Sequence, residues 1–282
     1  MKTLFGLTVI AALAVALFAG QPAFAQKGSL VIKGSDTMVL LGQAWAEEYM
    51  KSHPGVNISV TGGGSGVGIA AFINGTCDIC QSSRTMKKKE IDSSKSRNRE
   101  PYRTIVALDG LSFAVNSNSP VKTLTVDQIK GIYSGAISDW SQVGGKSGRI
   151  VVLSRDNNSG TYSYVKEVVL KGLSYRSDAL FMPSTKAIQQ EITNNPNAIG
   201  YGGEAYFRGK RNVQVLSVSP GPGKAAVLPT DKTVQSGKYP VSRPLQFYTN
   251  GKPSGVTADF VKFCLSPKGQ ALVTKVGYVP LP

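Results

Sequence analysis

RIVVLSRDNNSGTYSYVKEVV, residues Arg149 to Val169, runs from a strand pattern straight into a helix pattern. Ile150 to Leu153 is apolar and rich in β-branched residues, and Arg155 follows at the strand exit. Ser159-Gly160-Thr161 then opens an apolar, helix-like segment. A serine before a helix is an ordinary N-cap. The first amides of any helix also lack intrahelical partners and carry the positive end of its dipole. An arginine four residues ahead of such a start makes the turn a candidate clamp for an anion.

Two more junctions share the composition. Gly34-Ser35-Asp36-Thr37-Met38 follows the strand-like Leu30 to Lys33, and Gly62-Gly63-Gly64-Ser65-Gly66-Val67 follows the alternating run Val56 to Thr61. Each leads into a helix pattern, the first through about Ser52 and the second through about Asn74. One junction of this kind is weak evidence, because Ser and Thr cap many helices. Three in one chain point to one anion held at several helix starts.

The chain continues to alternate strand-like and helix-like segments, which predicts an α/β fold. A short strand at Asp78-Ile79-Cys80 ends in Gln81-Ser82-Ser83-Arg84, and a basic segment, Lys87 to Arg103, holds an exposed helix. Thr104 to Val115 is a buried strand broken by Asp109-Gly110. Helices follow over about Thr125 to Tyr133 and Thr185 to Thr193, with a strand at Ala198 to Tyr201. Val213 to Ser217 leads to the loop Pro220 to Gly223; a strand at Leu245 to Tyr248 and two helices, Val256–Leu265 and Lys268–Lys275, complete the pattern. The broken strand and the return near 216 predict two lobes joined by a two-stranded hinge. Residues 26–110 and 216–282 would form lobe 1, and 111–215 an inserted lobe 2. Such proteins close around ligands.

Composition narrows the function. Met1-Lys2-Thr3, an uncharged apolar run and Pro22-Ala23-Phe24-Ala25 together read as a signal peptide cleaved after Ala25. The mature chain is expected to be exported and soluble, without a lipid-anchoring cysteine. The net charge of +15 fits attraction for small anions or an acidic surface. Nucleic acid is not expected, because Met86-Lys87-Lys88-Lys89 and Arg97-Asn98-Arg99 are short, serine-separated and free of stacking aromatics. Cys77 and Cys80 lie three apart on a strand, about 10 Å from each other, which is beyond disulfide reach. They read as structural thiols, with a bridge from one of them to Cys264 left open.

Catalysis lacks its parts. The single histidine, His53, sits between Ser52 and Pro54, so a serine hydrolase or metal site has no ligand set, and no metal is expected. Gly64-x-Gly66-x-x-Ile69 lacks the third glycine of a dinucleotide fingerprint, and no lysine follows a glycine loop as in a P-loop. The chain is therefore expected to be a binder with no cofactor, not an enzyme.

GSDTM, GGGSG, DICQSSR, ALDG with its following VN, and above all Arg155-x-x-x-Ser159-Gly160-Thr161 resemble the periplasmic phosphate-binding proteins of phosphate ABC importers. The likeness spans nearly the whole mature chain, including Leu124 to Ile129 and Ile132 to Gly135 with Trp140. It implies a two-lobed receptor, monomeric and periplasmic, that delivers inorganic phosphate to a membrane ABC permease. Binding of sulfate or tungstate, or an envelope sensing role without transport, are the alternatives. By the resemblance, Thr37 and the Met38 amide bind the anion at the first helix start and Ser65 at the second. Arg155, Ser159, Gly160 and Thr161 form the opposite wall, with the planar fork of Arg155 on two oxygens.

By the same resemblance, many relatives carry an aspartate in the third loop to accept the proton of HPO₄²⁻. Ser82-Ser83-Arg84 stands there instead, with Arg84 where the acid would fall. Asp109 is the nearest replacement. It either accepts the anion's proton, with Ser83 donating and Arg84 pairing to Asp109 or the anion, or pairs with Arg84 for structure alone.

Overall fold

The computed structural model describes residues 28–282, so the expected signal peptide lies outside the described residues. The chain makes three passes. The first comprises β1 (Gly28–Gly34), α1 (Val39–Ser52), β2 (Val56–Gly63), α2 (Ser65–Ile73), β3 (Ile79–Ser82), α3 (Lys88–Lys95) and β4 (Pro101–Gly110). The second begins with β5 (Ser112–Asn116), β6 (Thr123–Thr125), α4 (Val126–Ser134), β7 (Val151–Arg155), α5 (Gly160–Tyr164) and β8 (Leu180–Met182). It continues through α6 (Thr185–Asn194), β9 (Ala198–Gly202), β10 (Val213–Val215), β11 (Ser217–Ser219) and α7 (Asp231–Gln235). The third pass is β12 (Ser242–Asn250), α8 (Gly255–Leu265) and α9 (Pro267–Val276).

Two five-stranded sheets result, which is the expected α/β, two-lobed architecture. The first has the order β2-β1-β3-β12-β4, with β1 parallel to β2 and β3, and β12 antiparallel to both its neighbours. Helices cover the central strands, so Leu30 and Ile32 are buried, as doubly covered strands require. They pack with Trp45, Tyr49, Phe247 and Phe260 in one core. The second sheet has the order β10-β5-β9-β7-β8 and builds a separate core around Phe113, Tyr133, Trp140 and Tyr201.

The chain crosses between the sheets at Gly110–Leu111 and again at Val241–Ser242. Asp109 stands opposite Arg243 and Gly110 opposite Ser242 in the β4–β12 register, and the Leu111 amide donates to the Val241 carbonyl at 2.9 Å. A third strand-like piece braces this hinge, because Leu108 and Val279 exchange both backbone hydrogen bonds, at 2.8 and 3.0 Å. The return crossing differs from the one expected at 216. Leu216, Val218, Val234, Tyr239 and Val241 all pack into the second core, and β11 pairs with β6. The reason is physical: Val213–Ser217 is no single strand but two short ones, split at Leu216, whose side chain turns into that core.

The three cysteines are free and buried. Cys77 and Cys80 share a small cluster with Phe72, whereas Cys264 sits in the first sheet's core, so the bridge left open from sequence does not form. Burial pushes the Cys77 thiol up to about 11, and burial likewise pushes the Cys80 thiol well up.

Candidate anion-binding site

All three junctions singled out from the sequence meet where the two lobes face each other. Gly34, Gly63 and Gly64 take positive φ, and the 139° of Gly34 and 108° of Gly64 are open to glycine at little cost. The chain can thus turn from β1 into the start of α1, and from β2 into α2. Asp36–Met38 forms a single 3₁₀ turn that leads into α1. On the opposite lobe, Ser159 caps α5, its Oγ accepting from the Thr161 and Tyr162 amides at 3.2 and 3.3 Å. After one turn α5 widens into a π turn at Val165–Val169, a form often found beside functional sites.

The lobes are closed on each other. The Gly66 amide donates to the Asn158 carbonyl at 2.9 Å, and Thr37 Oγ1 lies 2.9 Å from Thr161 Oγ1. Ser83 Oγ accepts from Ser35 Oγ at 3.0 Å and sits 3.3 Å from Ser65 Oγ, while the Ser83 amide donates to Ser65 Oγ at 3.0 Å. A Cβ on Gly160 would fall 2.3 Å from Ser65 Oγ and 2.8 Å from Ser83 Oγ. The structure therefore gathers Thr37, Ser65, Ser83, Ser159, Gly160 and Thr161, all buried, into one hydroxyl-rich cluster at helix starts. The Met38 amide is used locally, donating to the Ser35 carbonyl at 3.0 Å.

Arg155 is 1% exposed and its guanidinium is largely engaged. Nε donates to the Met182 carbonyl (3.2 Å), Nη2 to the Pro183 carbonyl (3.0 Å), and Nη1 to Thr185 Oγ1 (3.1 Å) and Asp36 Oδ2 (3.0 Å). Four of its five N–H groups are thus used, so the free two-pronged fork expected from the sequence is reduced to one Nη2 hydrogen. Asp36 also accepts from the Thr185 amide at 2.8 Å, which makes it a bridge between the lobes.

The third loop also differs from expectation. Ser83, not Arg84, faces the cluster. Arg84 turns away and forms a two-pronged pair with Glu90 at 2.7 and 2.8 Å, because Glu90 is anchored at the start of α3, where its carboxylate also accepts from the Lys87 amide. Arg84 consequently does not pair with Asp109. The partner of Asp109 is Arg243, whose Nε and Nη2 both donate to Asp109 Oδ2 at 3.0 and 2.9 Å. Burial pushes the Asp109 carboxyl up, and Arg243 offsets only part of that shift. Arg243 Nη2 continues to Thr161 Oγ1 at 2.9 Å, so a polar chain runs from Asp109 through Arg243 and Thr161 to Thr37.

Ser35, Asp36 and Arg243 are the members of this site that sequence reasoning did not select. Asp36 stood inside a quoted motif. Arg243 carried a signal too: a lone charge in the apolar run Tyr239 to Tyr248. Among the described residues no group of three or more His, Cys, Asp or Glu side chains could hold a metal, and no helix is long and apolar enough to cross a membrane.

A family model for the PBP superfamily domain matches residues 19–268. The phosphate-binding protein PstS of Pseudomonas aeruginosa is 32% identical over 98% of this chain and 90% of its own length. The chain belongs to the PstS family. The PstS of Bacillus subtilis is likewise 32% identical, over 90% of this chain and 81% of that protein. Among solved structures, this PstS-family chain is similar to a Clostridium perfringens protein assigned as a phosphate ABC transporter substrate-binding protein, with phosphate bound. The TM-score is 0.81 at 29% identity, covering 90% of this chain and all of that one. An ABC-type phosphate transport receptor from Vibrio cholerae gives a TM-score of 0.71 at 27% identity over the same share of this chain.

Proposed function

We propose that this protein is an exported, periplasmic receptor that captures inorganic phosphate between its lobes and delivers it to an ABC importer, without making or breaking bonds and acting as a monomer. The supporting observation is the convergence of three helix starts on one buried cluster of hydroxyls, in a chain whose relatives are PstS proteins. Phosphate would be held by Thr37, Ser65, Ser83, Ser159, Gly160 and Thr161 with the remaining Arg155 hydrogen, while the Met38 amide stays on the Ser35 carbonyl. Hydrogen bonds to an ionised acceptor are about twice as strong as neutral ones, so several together give high affinity in a dry cleft.

Asp109 would supply the discrimination. Its Oδ1 is buried and has no hydrogen-bond partner, which leaves an acceptor for a protonated oxyanion. Sulfate carries no such proton at neutral pH. Titration calorimetry with phosphate, sulfate and tungstate tests the reading: phosphate should bind most tightly. Asp109→Asn should lower the preference for phosphate over sulfate by about 10- to 100-fold, the worth of a hydrogen bond to a charged group. Unchanged selectivity would remove Asp109 from this role.

A further inference from the structure

We propose that Arg243, on the returning hinge strand, is a second cationic ligand of the anion and the residue that holds Asp109 ready to read its protonation. The inference rests on the phosphate reading above and assigns the two-pronged role that Arg155 cannot fill.

Arg243 is 4% exposed, and a buried guanidinium normally satisfies all its donors. Here Nη1, which carries two N–H groups, has no partner, and Asp109 Oδ1 accepts no hydrogen bond of good geometry, although the Glu204 amide faces the carboxylate. The pair thus presents two spare donors and one spare acceptor. A monoprotonated tetrahedral oxyanion is the complement of that set, with acceptor oxygens and one P–OH donor.

The place fits as well. Arg243 and Ser83 line the same cavity of about 160 Å³, together with Tyr164 and Gln246. On their other sides Ser83 touches Ser65, and Arg243 touches Thr161. An anion among Ser65, Ser83 and Thr161 would therefore lie beside the Arg243 guanidinium, whose Nη2 already touches Thr161 Oγ1.

The guanidinium is fixed for this work. Asp109 holds one edge, and its carbon lies 5.2 Å from the centre of the Tyr164 ring, whose hydroxyl donates to the Ser242 carbonyl at 2.7 Å. Because Asp109 and Arg243 face each other across the two hinge strands, the anion they hold is bonded directly to the hinge.

The experiment compares Arg243→Lys, Arg243→Met and the double variant Asp109→Asn/Arg243→Met in the full protein. Phosphate and sulfate titrations are run from pH 5 to 8, with thermal melts of the ligand-free forms. Arg243→Met should weaken phosphate binding at least 100-fold and Arg243→Lys about tenfold. The double variant leaves no unpaired buried charge; it should melt near wild type yet bind phosphate as weakly as Arg243→Met.

The acid limb of the affinity profile should also move to higher pH in Arg243→Met and stay put in Arg243→Lys. The groups around Asp109 that set this limb are Arg243 itself, Glu204, and the hydroxyls of Tyr164, Tyr239 and Tyr278. A double variant that is folded and binds phosphate within threefold of wild type overturns the proposal and reduces Arg243 to a structural partner. A wild-type protein that prefers sulfate overturns the phosphate reading instead, while the loss in Arg243→Met remains readable in the sulfate titration.

Discussion

Gly160→Ala isolates lobe closure from folding. Gly160 is the first residue of α5 and its φ lies outside the range reserved for glycine, so alanine fits its backbone without strain. In a helix alanine is favoured over glycine by up to about 1 kcal/mol, so the second lobe should be as stable or slightly more so. The cost falls on closure. The new Cβ meets Ser65 Oγ at 2.3 Å, Ser83 Oγ at 2.8 Å and Ser65 Cβ at 2.9 Å, all across the cleft. A hydroxyl could rotate away from one of these contacts; the Ser65 Cβ cannot. Overpacking of this kind costs about 1–3 kcal/mol, or roughly 5- to 150-fold in affinity. Gly66→Ala is the matched control, since the tightest contact of its Cβ would be the Asn158 carbonyl oxygen at 3.1 Å, which a few tenths of an ångström relieve. Calorimetry should show Gly160→Ala weakened at least tenfold and Gly66→Ala a few-fold, with ligand-free melting temperatures at or above wild type. Phosphate binding by Gly160→Ala within threefold of wild type would refute the account of how the lobes meet.

Asp36→Asn removes the charge that ties Arg155 and the Thr185 amide to the first lobe. It should weaken ligand binding about tenfold, from a charge-assisted hydrogen bond worth roughly 1.5–3 kcal/mol, while the ligand-free melt changes little; calorimetry beside a melt checks both. The Arg84–Glu90 pair should show itself in acid. Burial pushes the Glu90 carboxyl up, but the Arg84 hydrogen bonds and the Lys87 amide outweigh it, and the net shift is down. A lowered carboxyl contributes stability that is full above its ordinary pKa and is lost as pH falls through the folded value. Glu90→Gln should therefore flatten the acid limb of the stability–pH curve below about pH 4.5, measured by denaturant melts.

Much of the fold was legible because its period changes cleanly. Val56 to Thr61 alternates and then breaks at three glycines, and most helix starts, though not that of α3 at Lys87–Lys88, are marked by a nearby glycine or hydroxyl. The short elements were not legible. Strands β6 and β8 and helix α7 carry too few residues for a period to emerge, and β8 exposes Leu180 and Phe181 although both are apolar. The return crossing was misplaced because Val234, Tyr239 and Val241 look the same in sequence whichever core receives them.

The candidate site was half legible for a related reason. Helix starts are local, and their residues came together as the motifs implied. Partners of buried charges are not local: Arg155 finds Asp36 across 119 positions, and Asp109 finds Arg243 across 134. Arg84 found its acid six residues on, a nearer solution than the one inferred from the missing aspartate.

The order of strands in the first sheet has a consequence for how the chain is made. Strand β12 lies between β3 and β4, yet it emerges only after the whole stretch 111–241 has been synthesised. Until then the first half is a three-stranded sheet ending at β3, and β3 and β4 each lack the neighbour that joins them. Pairings this distant in sequence form slowly, because long loops must close before they are rewarded. The second lobe, contiguous in sequence, can mature while the first waits. For a receptor exported as proposed above, this delay would be useful: the segment that completes the proposed anion site and the hinge is delivered after the parts it joins.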